Sequence, residues 1–354
     1  MPIIWAIGVA HPPRHHFKAV LGSFMSLVIG NITLPHAAIL APMSGVTDWP
    51  FRRAVRRCGG GLVVTEMVAS KAVLRDVRSE MRKLRTEAEA EAPLSIQLAG
   101  WEPMIMAEAA KICADIGATF IDINMGCPAK KVTGKLSGSA LMRDPHGAAA
   151  IMNAVVKAVD VPVTLKMRLG WDDQTLNAAE LAKIAQDSGI KMIAVHGRTR
   201  CQMYKGNADW VKIGEVVNAV DIPVLVNGDI TRLVSVGHAM RASGAAGVMI
   251  GRGAQGRPWF LAQAGDYLNG NLARSNPCVA ARHQLMQSHL EDMLCHYGTA
   301  GMRLARKHIA WYAYGLPGAA ELRNIANNNT DAGLVFAAVD AFFEALHPND
   351  MVAS

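Results

Sequence analysis

The sequence predicts a (β/α)8 barrel followed by an all-helical region, and three observations carry that expectation. Eight short runs rich in Val, Ile and Leu recur between residues 37 and 252, separated by stretches with helical periodicity. Near-continuous apolar runs of this length suit parallel strands buried on both faces. Each run ends in a polar or otherwise unusual residue, at the strand end where this fold does its chemistry. After Gly265 the strand pattern stops and long helical periodicities take over. A doubly wound open sheet is the rival, but it needs a G-x-G-x-x-G turn after an early strand, and no early strand here leads into one.

Composition agrees with a large buried core. The 354 residues are 51% hydrophobic and only 18% charged, with 36 Lys and Arg against 29 Asp and Glu, a formal net charge of +7. This excludes a disordered tail protein and a disulfide mini-domain. The six cysteines contain no C-x-x-C pair, so neither a metal site nor a disulfide framework is indicated, and a reducing, cytoplasmic setting is expected. The longest apolar stretch, Ala19 to Ile29, is broken by Gly22, Ser23 and Ser26. It is shorter than the roughly 18 residues a membrane-spanning helix needs, and no small-x-small cleavage site follows it. No membrane association is expected.

Taken in order, residues 1–24 carry the patch His11-Pro12-Pro13-Arg14-His15-His16 without helical or strand period, and are left outside the fold. Met25 reads as the true start, with a flexible N-terminal arm as the competing reading. Residues 25–265 form the barrel. A short hairpin leads into the first strand, AAILAPM (37–43), followed by GLVVTEM (61–67), PLSIQLA (93–99) and FIDINMG (120–126). VPVTLKMR (161–168), MIAVHGRT (192–199), IPVLVNGD (222–229) and AAGVMIGR (245–252) complete the eight. Between Trp101 and Gly117, Ile105, Ala109, Ile112 and Ile116 share one helical face, with Gly117 as a stop. Asp-x-Pro-Val at Asp160–Val163 and Asp221–Val224 marks two helix-to-strand turns. The polar stretch Asn269–Pro277 then joins a helical domain, residues 275–354.

The strand ends supply the candidate site. Asn227-Gly228-Asp229 and Gly251-Arg252 follow strands seven and eight, the usual phosphate cradle of a barrel, where glycines let amides approach an anion and Arg252 can pair with it. Two ordinary tight turns are the alternative reading. Lys166, His196 and Gln97 point to the centre of the same face, where a buried cation neutralises an anionic ring or forms a Schiff base. Cys127 follows strand four, held by Pro128 so that its thiol projects over the mouth as a proton donor or nucleophile tuned by Lys130 and Lys131. The other five cysteines read as small buried hydrophobes.

Seven ordered motifs, APMSGVTD (41–48), INMGCPAKKV (123–132), SGSALMRD (137–144), VTLKMRLGW (163–171), HGRTR (196–200), NGDI (227–230) and GRGAQGRPW (251–259), resemble the tRNA-dihydrouridine synthases. The likeness is strongest to the bacterial B-type, nitrogen-regulation-like branch. It extends from about residue 27 to the end and includes ARKHIAWY (305–312). The resemblance implies an FMN-dependent barrel that reduces the C5–C6 double bond of a tRNA uridine with NADPH or NADH. It would place Pro42, Met43 and Ser44 along the flavin, Gln97 on the isoalloxazine edge and Lys166 near N1 and O2. His196 would contact the flavin too, while Asn227, Gly228, Asp229, Gly251 and Arg252 would hold the ribityl phosphate. Cys127 would be the general acid and Asn124 would position the uracil. Lys130, Lys131, Arg168 and Arg198 would complete the substrate contacts. Ser44 departs from the small apolar residue usual there, and the N-terminal extension is foreign to the pattern.

The charge distribution narrows the RNA surface. Residues 275–354 hold five Lys and Arg against seven Asp and Glu, so that region is net −2. Its cations concentrate in Arg303, Arg306 and Lys307, one helical stripe able to track phosphates; a solvated face is the competing reading. A second basic cluster, Arg52, Arg53, Arg56 and Arg57 with Lys71 through Arg85, is diluted by acids and reads as surface. The rival functions are an FMN reductase of a free pyrimidine, which leaves the helical region unexplained, a Schiff-base lyase built on Lys166, and a non-enzymatic regulator. A monomer is expected.

Overall fold

The structure, a computed structural model, describes residues 26–85, 91–134 and 136–347. Residues 1–24 and Met25 lie outside it, so neither reading of the N-terminus is addressed. Strands β1 (Leu27–Ile29) and β2 (Ile32–Leu34) form the expected antiparallel hairpin, turning at Gly30 with φ +61°. A Cβ on Gly30 would come within 3.1 Å of Pro162, which leads into the strand Val163–Arg168, so the hairpin caps the barrel end remote from the chemistry.

The eight predicted strands are present. They are β3 (Ala38–Leu40), β4 (Val63–Val64), β6 (Leu94–Ala99), β7 (Phe120–Met125), β8 (Val163–Arg168), β9 (Met192–His196), β10 (Val224–Asn227) and β11 (Gly247–Ile250). All neighbours are parallel, and the pairings β11 with β3 and β4 with β6 close the ring. Nearly every strand residue is buried, as runs covered on both faces require. One run behaves differently from its sequence. GLVVTEM ends as a strand at Val64, and pairing with β6 resumes only at β5 (Val68–Ala69). Between them the Thr65 amide still donates to the Ser95 carbonyl at 2.9 Å, but the Gln97 amide goes to the Thr65 hydroxyl at 3.1 Å in place of a backbone carbonyl, and Glu66 takes the Gly45 amide of the loop after β3 at 2.5 Å.

Helices of eight residues or more are α1 (Trp49–Arg57), α2 (Pro103–Asp115), α3 (Pro145–Ala158), α4 (Ala178–Asp187), α5 (Trp210–Val217), α6 (Leu233–Ser243) and α7 (Phe260–Leu268) around the barrel. Aspartates cap three of them: Asp48, Asp144 and Asp209 each accept an amide of the first turn. The buried face of α2 is Met106, Ala109, Ala110 and Cys113, one residue round from the predicted stripe. Small Ala and Cys allow close approach there, while the longer Ile105, Ile112 and Ile116 are half-buried at its margins.

The C-terminal region is helical as expected: α8 (Val279–Tyr297), α9 (Gly301–Tyr312), α10 (Ala319–Asn328) and α11 (Ala332–Glu344). They share a second hydrophobic core built on Leu290, Met293, Ile309, Tyr312, Val339 and Phe343, which also takes in Trp259 from the barrel. Among the described residues no helix is long and apolar enough to cross a membrane.

The arginines that open the second basic cluster are not an open surface. Arg52 is fully buried, its Nε 2.7 Å from Glu91. Arg53 and Arg57 both reach Asp292 on α8, at 2.9 and 2.8 Å, and Arg56 donates to the carbonyls of Gly60, Gly61 and Ala92. Through Arg53 and Arg57, α1 is joined to the C-terminal helices. The cysteine expectation is corrected as well: Cys113 is buried and Cys58 half-buried, but Cys201, Cys278 and Cys295 are exposed. They lie in a turn, at a helix cap and on an outer helix face, places that strand periodicity does not report.

Candidate active site

The strand C-termini open into one cavity of about 580 Å³. That is within the range of pre-formed cofactor sites. Of the residues singled out from sequence, Pro42, Met43, Ser44, Gln97, Asn124, Cys127, Lys166, Arg168, His196, Asn227, Gly228, Asp229, Gly251 and Arg252 all line it.

Register explains how the centre is assembled. In β6, β7 and β8, Gln97 lies opposite Asp122 and Asp122 opposite Thr164; two residues further along, Asn124 lies opposite Lys166. The side chains form one chain of hydrogen bonds. Thr164 Oγ1 and Gln97 Nε2 each donate to Asp122 at 2.6 Å, and Asn124 Nδ2 donates to Gln97 Oε1 at 2.7 Å. Asn124 Oδ1 then accepts the amides of Gly126 and Cys127 at 3.2 and 3.0 Å. From the other side, Ser139 donates its amide and hydroxyl to the Cys127 carbonyl at 3.1 and 2.9 Å. The Cys127 backbone is thus held independently of its thiol. Asp122, the base of this chain, was missed from sequence because FIDINMG reads as an unbroken buried strand.

Lys166 Nζ donates to Asn227 Oδ1 at 3.0 Å. Burial, reinforced by the nearby Arg168 charge, brings its pKa down to about 8, while Asp122 and Cys127 oppose the shift. Burial pushes the Asp122 carboxyl up, against its two hydrogen bonds and Lys166. Burial also holds His196 well below its ordinary value, with Lys166, Arg168, Arg198 and Arg252 adding to the effect, so the ring is neutral. Arg198 lies 3.3 Å from His196 Nε2, and because a guanidinium only donates, Nε2 accepts and Nδ1 carries the proton.

Both arginines expected at the substrate brace neighbouring loops, and of the two only Arg168 lines the cavity. Arg168 gives Nε to the Gly126 carbonyl at 2.7 Å and another nitrogen to Thr199 and Met203 carbonyls at 3.0 and 2.8 Å, tying the Cys127 loop to the loop after β9. Arg198 does not line the cavity. It is 2% exposed and its donors reach Asp229 twice, His196 and the Lys205 and Gly206 carbonyls, leaving none for substrate. Lys130 is exposed on the turn after Cys127 and does not line the cavity; Lys131 follows on the same turn. The cations that share the cavity with Cys127 are instead Lys166, Arg168 and Arg252.

The anion end is built by Asp229 and the neighbouring glycines. Asp229 accepts from Arg198, from Arg252 at 2.9 Å and from the Ala208 amide at 2.8 Å. Burial raises its carboxyl, but these partners outweigh that and keep it below the usual carboxylate range. Among the described residues, the amides of Gly228, Asp229, Arg252 and Gly253 have no protein acceptor. Gly228 sits at φ +116°, and a Cβ there would lie 2.7 Å from Ala208 and 2.9 Å from His196. Gly228→Ala is therefore expected to cost about 1–3 kcal/mol, read as a lower denaturant midpoint of the apoprotein.

Met67, which closes the GLVVTEM run, also lines the cavity, as do Met203 and Tyr204, which were not singled out from sequence. Met203 has φ +52°, and the Arg168 and Arg252 guanidinium groups each lie 5.5 Å from the Tyr204 ring centre. The adjacency of HGRTR was the one available signal. The predicted RNA stripe divides: Arg303 is exposed, Arg306 is half-buried and reaches the Asn329 carbonyl at 3.3 Å, and Lys307 donates to the Gly45 carbonyl at the barrel mouth.

Comparison with known proteins agrees with this geometry. The dihydrouridine synthase family (Dus) matches residues 39–347. A probable tRNA-dihydrouridine synthase of Rickettsia conorii is 50% identical over 319 residues, 90% of this chain and 96% of its own length. A Rhodobacter capsulatus protein of the same description is 52% identical over 90% of this chain and 98% of its own. The tRNA-dihydrouridine synthase B of Pseudomonas aeruginosa is 46% identical, over 90% and 96%. Among solved structures, histamine dehydrogenase from Rhizobium sp. 4-9 superposes with a TM-score of 0.55 at 11% identity, covering 92% of this chain and 65% of that one, a likeness of fold alone. The chain belongs to the dihydrouridine synthase family, the flavin-using oxidoreductases that reduce uridine in tRNA.

Proposed function

We propose that the cavity binds FMN and admits a tRNA uridine, whose C5–C6 double bond is reduced to 5,6-dihydrouridine with NADPH or NADH as the electron source. The observation that carries this reading is the placing of Cys127 and Lys166 on one cavity whose other end offers unpaired amides and Arg252. That donor set fits a phosphorylated, anion-forming ring: Lys166 and Gln97 face the ring, while Gly228, Asp229, Arg252 and Gly253 hold the phosphate.

The bound flavin supplies hydride to uracil C6. The protein's own task is to deliver a proton to C5, and the Cys127 thiol does so from a backbone clamped by Asn124 and Ser139. Lys166 compensates negative charge on the ring, and neutral His196 contributes no competing cation. Asn124 orients the uracil. A uridine inside folded tRNA reaches the cavity by leaving its stack, and Arg303 with the barrel rim meets the phosphate backbone.

Incubation with undermodified tRNA and NADPH, followed by nucleoside mass spectrometry, tests the assignment. Dihydrouridine is the expected product, and its absence, or turnover of free uridine alone, refutes it. Lys166 adds a pH test. Its pKa is lowered from 10.5 to about 8, so the folded apoprotein sheds a proton that the unfolded chain keeps across that window. Apoprotein stability therefore rises with pH there, while affinity for anionic FMN falls as pH passes about 8. Fluorescence titration of the apoprotein across pH reads the second effect, and Lys166→Arg moves the fall to higher pH.

A further inference from the structure

The loop between β3 and α1 forms the cavity wall through Pro42, Met43, Ser44 and Val46. Its own bonds make it one compact turn: the Val46 and Thr47 amides return to the Met43 carbonyl at 2.9 and 3.0 Å, and the Met43 amide donates to Thr47 Oγ1 at 2.9 Å. At its crest Gly45 has φ +75°, and its two peptide groups are held by different parts of the molecule. The amide donates to Glu66 of the barrel, and the carbonyl accepts from Lys307 of α9. Three residues on, Asp48 caps α1 with one oxygen and takes the Tyr297 hydroxyl of α8 at 2.9 Å with the other. Lys307 is half-buried, whereas Arg303, one turn earlier on α9, is exposed.

We infer that Lys307 is a positioning residue for the cofactor-side loop: with Tyr297 it anchors residues 43–48 from the C-terminal helices, and it is not a phosphate contact. The inference rests on the assignment of the cavity to FMN. Its physical basis is that a compact turn moves as a unit, so release of the Gly45 carbonyl shifts Met43, Ser44 and Val46 together. The helix that presents Arg303 to solvent thereby also sets one wall of the active site. The Gly45 carbonyl is exposed, but a bond to it from the ammonium of a half-buried lysine is charge-assisted, among the stronger of its kind.

Three measurements on full-length protein test it: FMN titration of the apoprotein, hydrogen exchange of residues 43–48, and the salt dependence of tRNA binding. Lys307→Met is expected to weaken FMN about tenfold. It should also speed exchange of the Gly45, Val46 and Thr47 amides, and leave the salt slope of tRNA binding unchanged. Lys307→Arg should restore most of the affinity. Tyr297→Phe, which removes only a hydroxyl, should act in the same direction with smaller size and serves if the methionine variant does not fold. FMN affinity within twofold of wild type, unchanged exchange and a salt slope reduced by about one would make Lys307 a phosphate contact and overturn the inference. Wild-type protein that binds no FMN would refute the cofactor assignment alone; the exchange rates would still decide whether Lys307 anchors the loop.

Discussion

Cys127→Ala is expected to lower dihydrouridine formation by about 10²–10⁴-fold, the usual contribution of a positioned general acid. The argument depends on the thiol being dispensable for everything else. Asn124 and Ser139 hold the residue through its amide and carbonyl, and Arg168 secures Gly126 beside it. Alanine makes the same backbone bonds, so FMN and tRNA affinities should stay near wild type while the chemical step fails. Single-turnover mass spectrometry of tRNA nucleosides gives the rate. Product formed at the wild-type rate would remove Cys127 from the mechanism.

Asp122→Ala is expected to damage both stability and catalysis, although Asp122 is absent from the cavity lining. Its carboxylate accepts from Thr164 and Gln97 in a fully buried setting. Each donor left without a partner there costs about 1–3 kcal/mol. Gln97 would be free to turn, Asn124 would lose its fixed acceptor, and the Cys127 amide would lose the oxygen that orients it. The half-buried Lys166 would also lose a nearby carboxylate that favours its charged form. The midpoint in denaturant should fall, and kcat for dihydrouridine formation should fall with it. Asp122→Asn separates the two effects, because it keeps the volume and part of the bonding. An alanine variant with wild-type midpoint and rate would show that the network does no work.

Most of the scaffold was legible because it rests on local signals. Runs such as VPVTLKMR and IPVLVNGD announce doubly buried strands, and the polar residues closing them announce the cavity. Asp122 was not legible, since only its register opposite Gln97 and Thr164 tells that it lies inside the barrel. The face of α2 was displaced by one residue because the predicted stripe weighed isoleucines, whereas close approach favoured Ala109, Ala110 and Cys113. Arg52, Arg53 and Arg57 looked like surface charge, and their partners Glu91 and Asp292 lie 39, 239 and 235 residues away.

By itself the sequence determined the barrel, the helical region after it, and the set of strand-end residues that share one cavity. These follow from periodicity and from the rule that parallel strands deliver their ends to a single face. The tertiary structure alone decided which of those residues remain available. Arg198 spends all its donors on His196, Asp229 and the loop after β9, Arg168 braces loops with two of its nitrogens while lining the cavity, Lys307 turns to the Gly45 carbonyl, and Lys166 donates to Asn227 while still facing the cavity. A side chain's freedom to meet a ligand depends on what else lies within hydrogen-bonding reach, and that is a property of distant segments brought together.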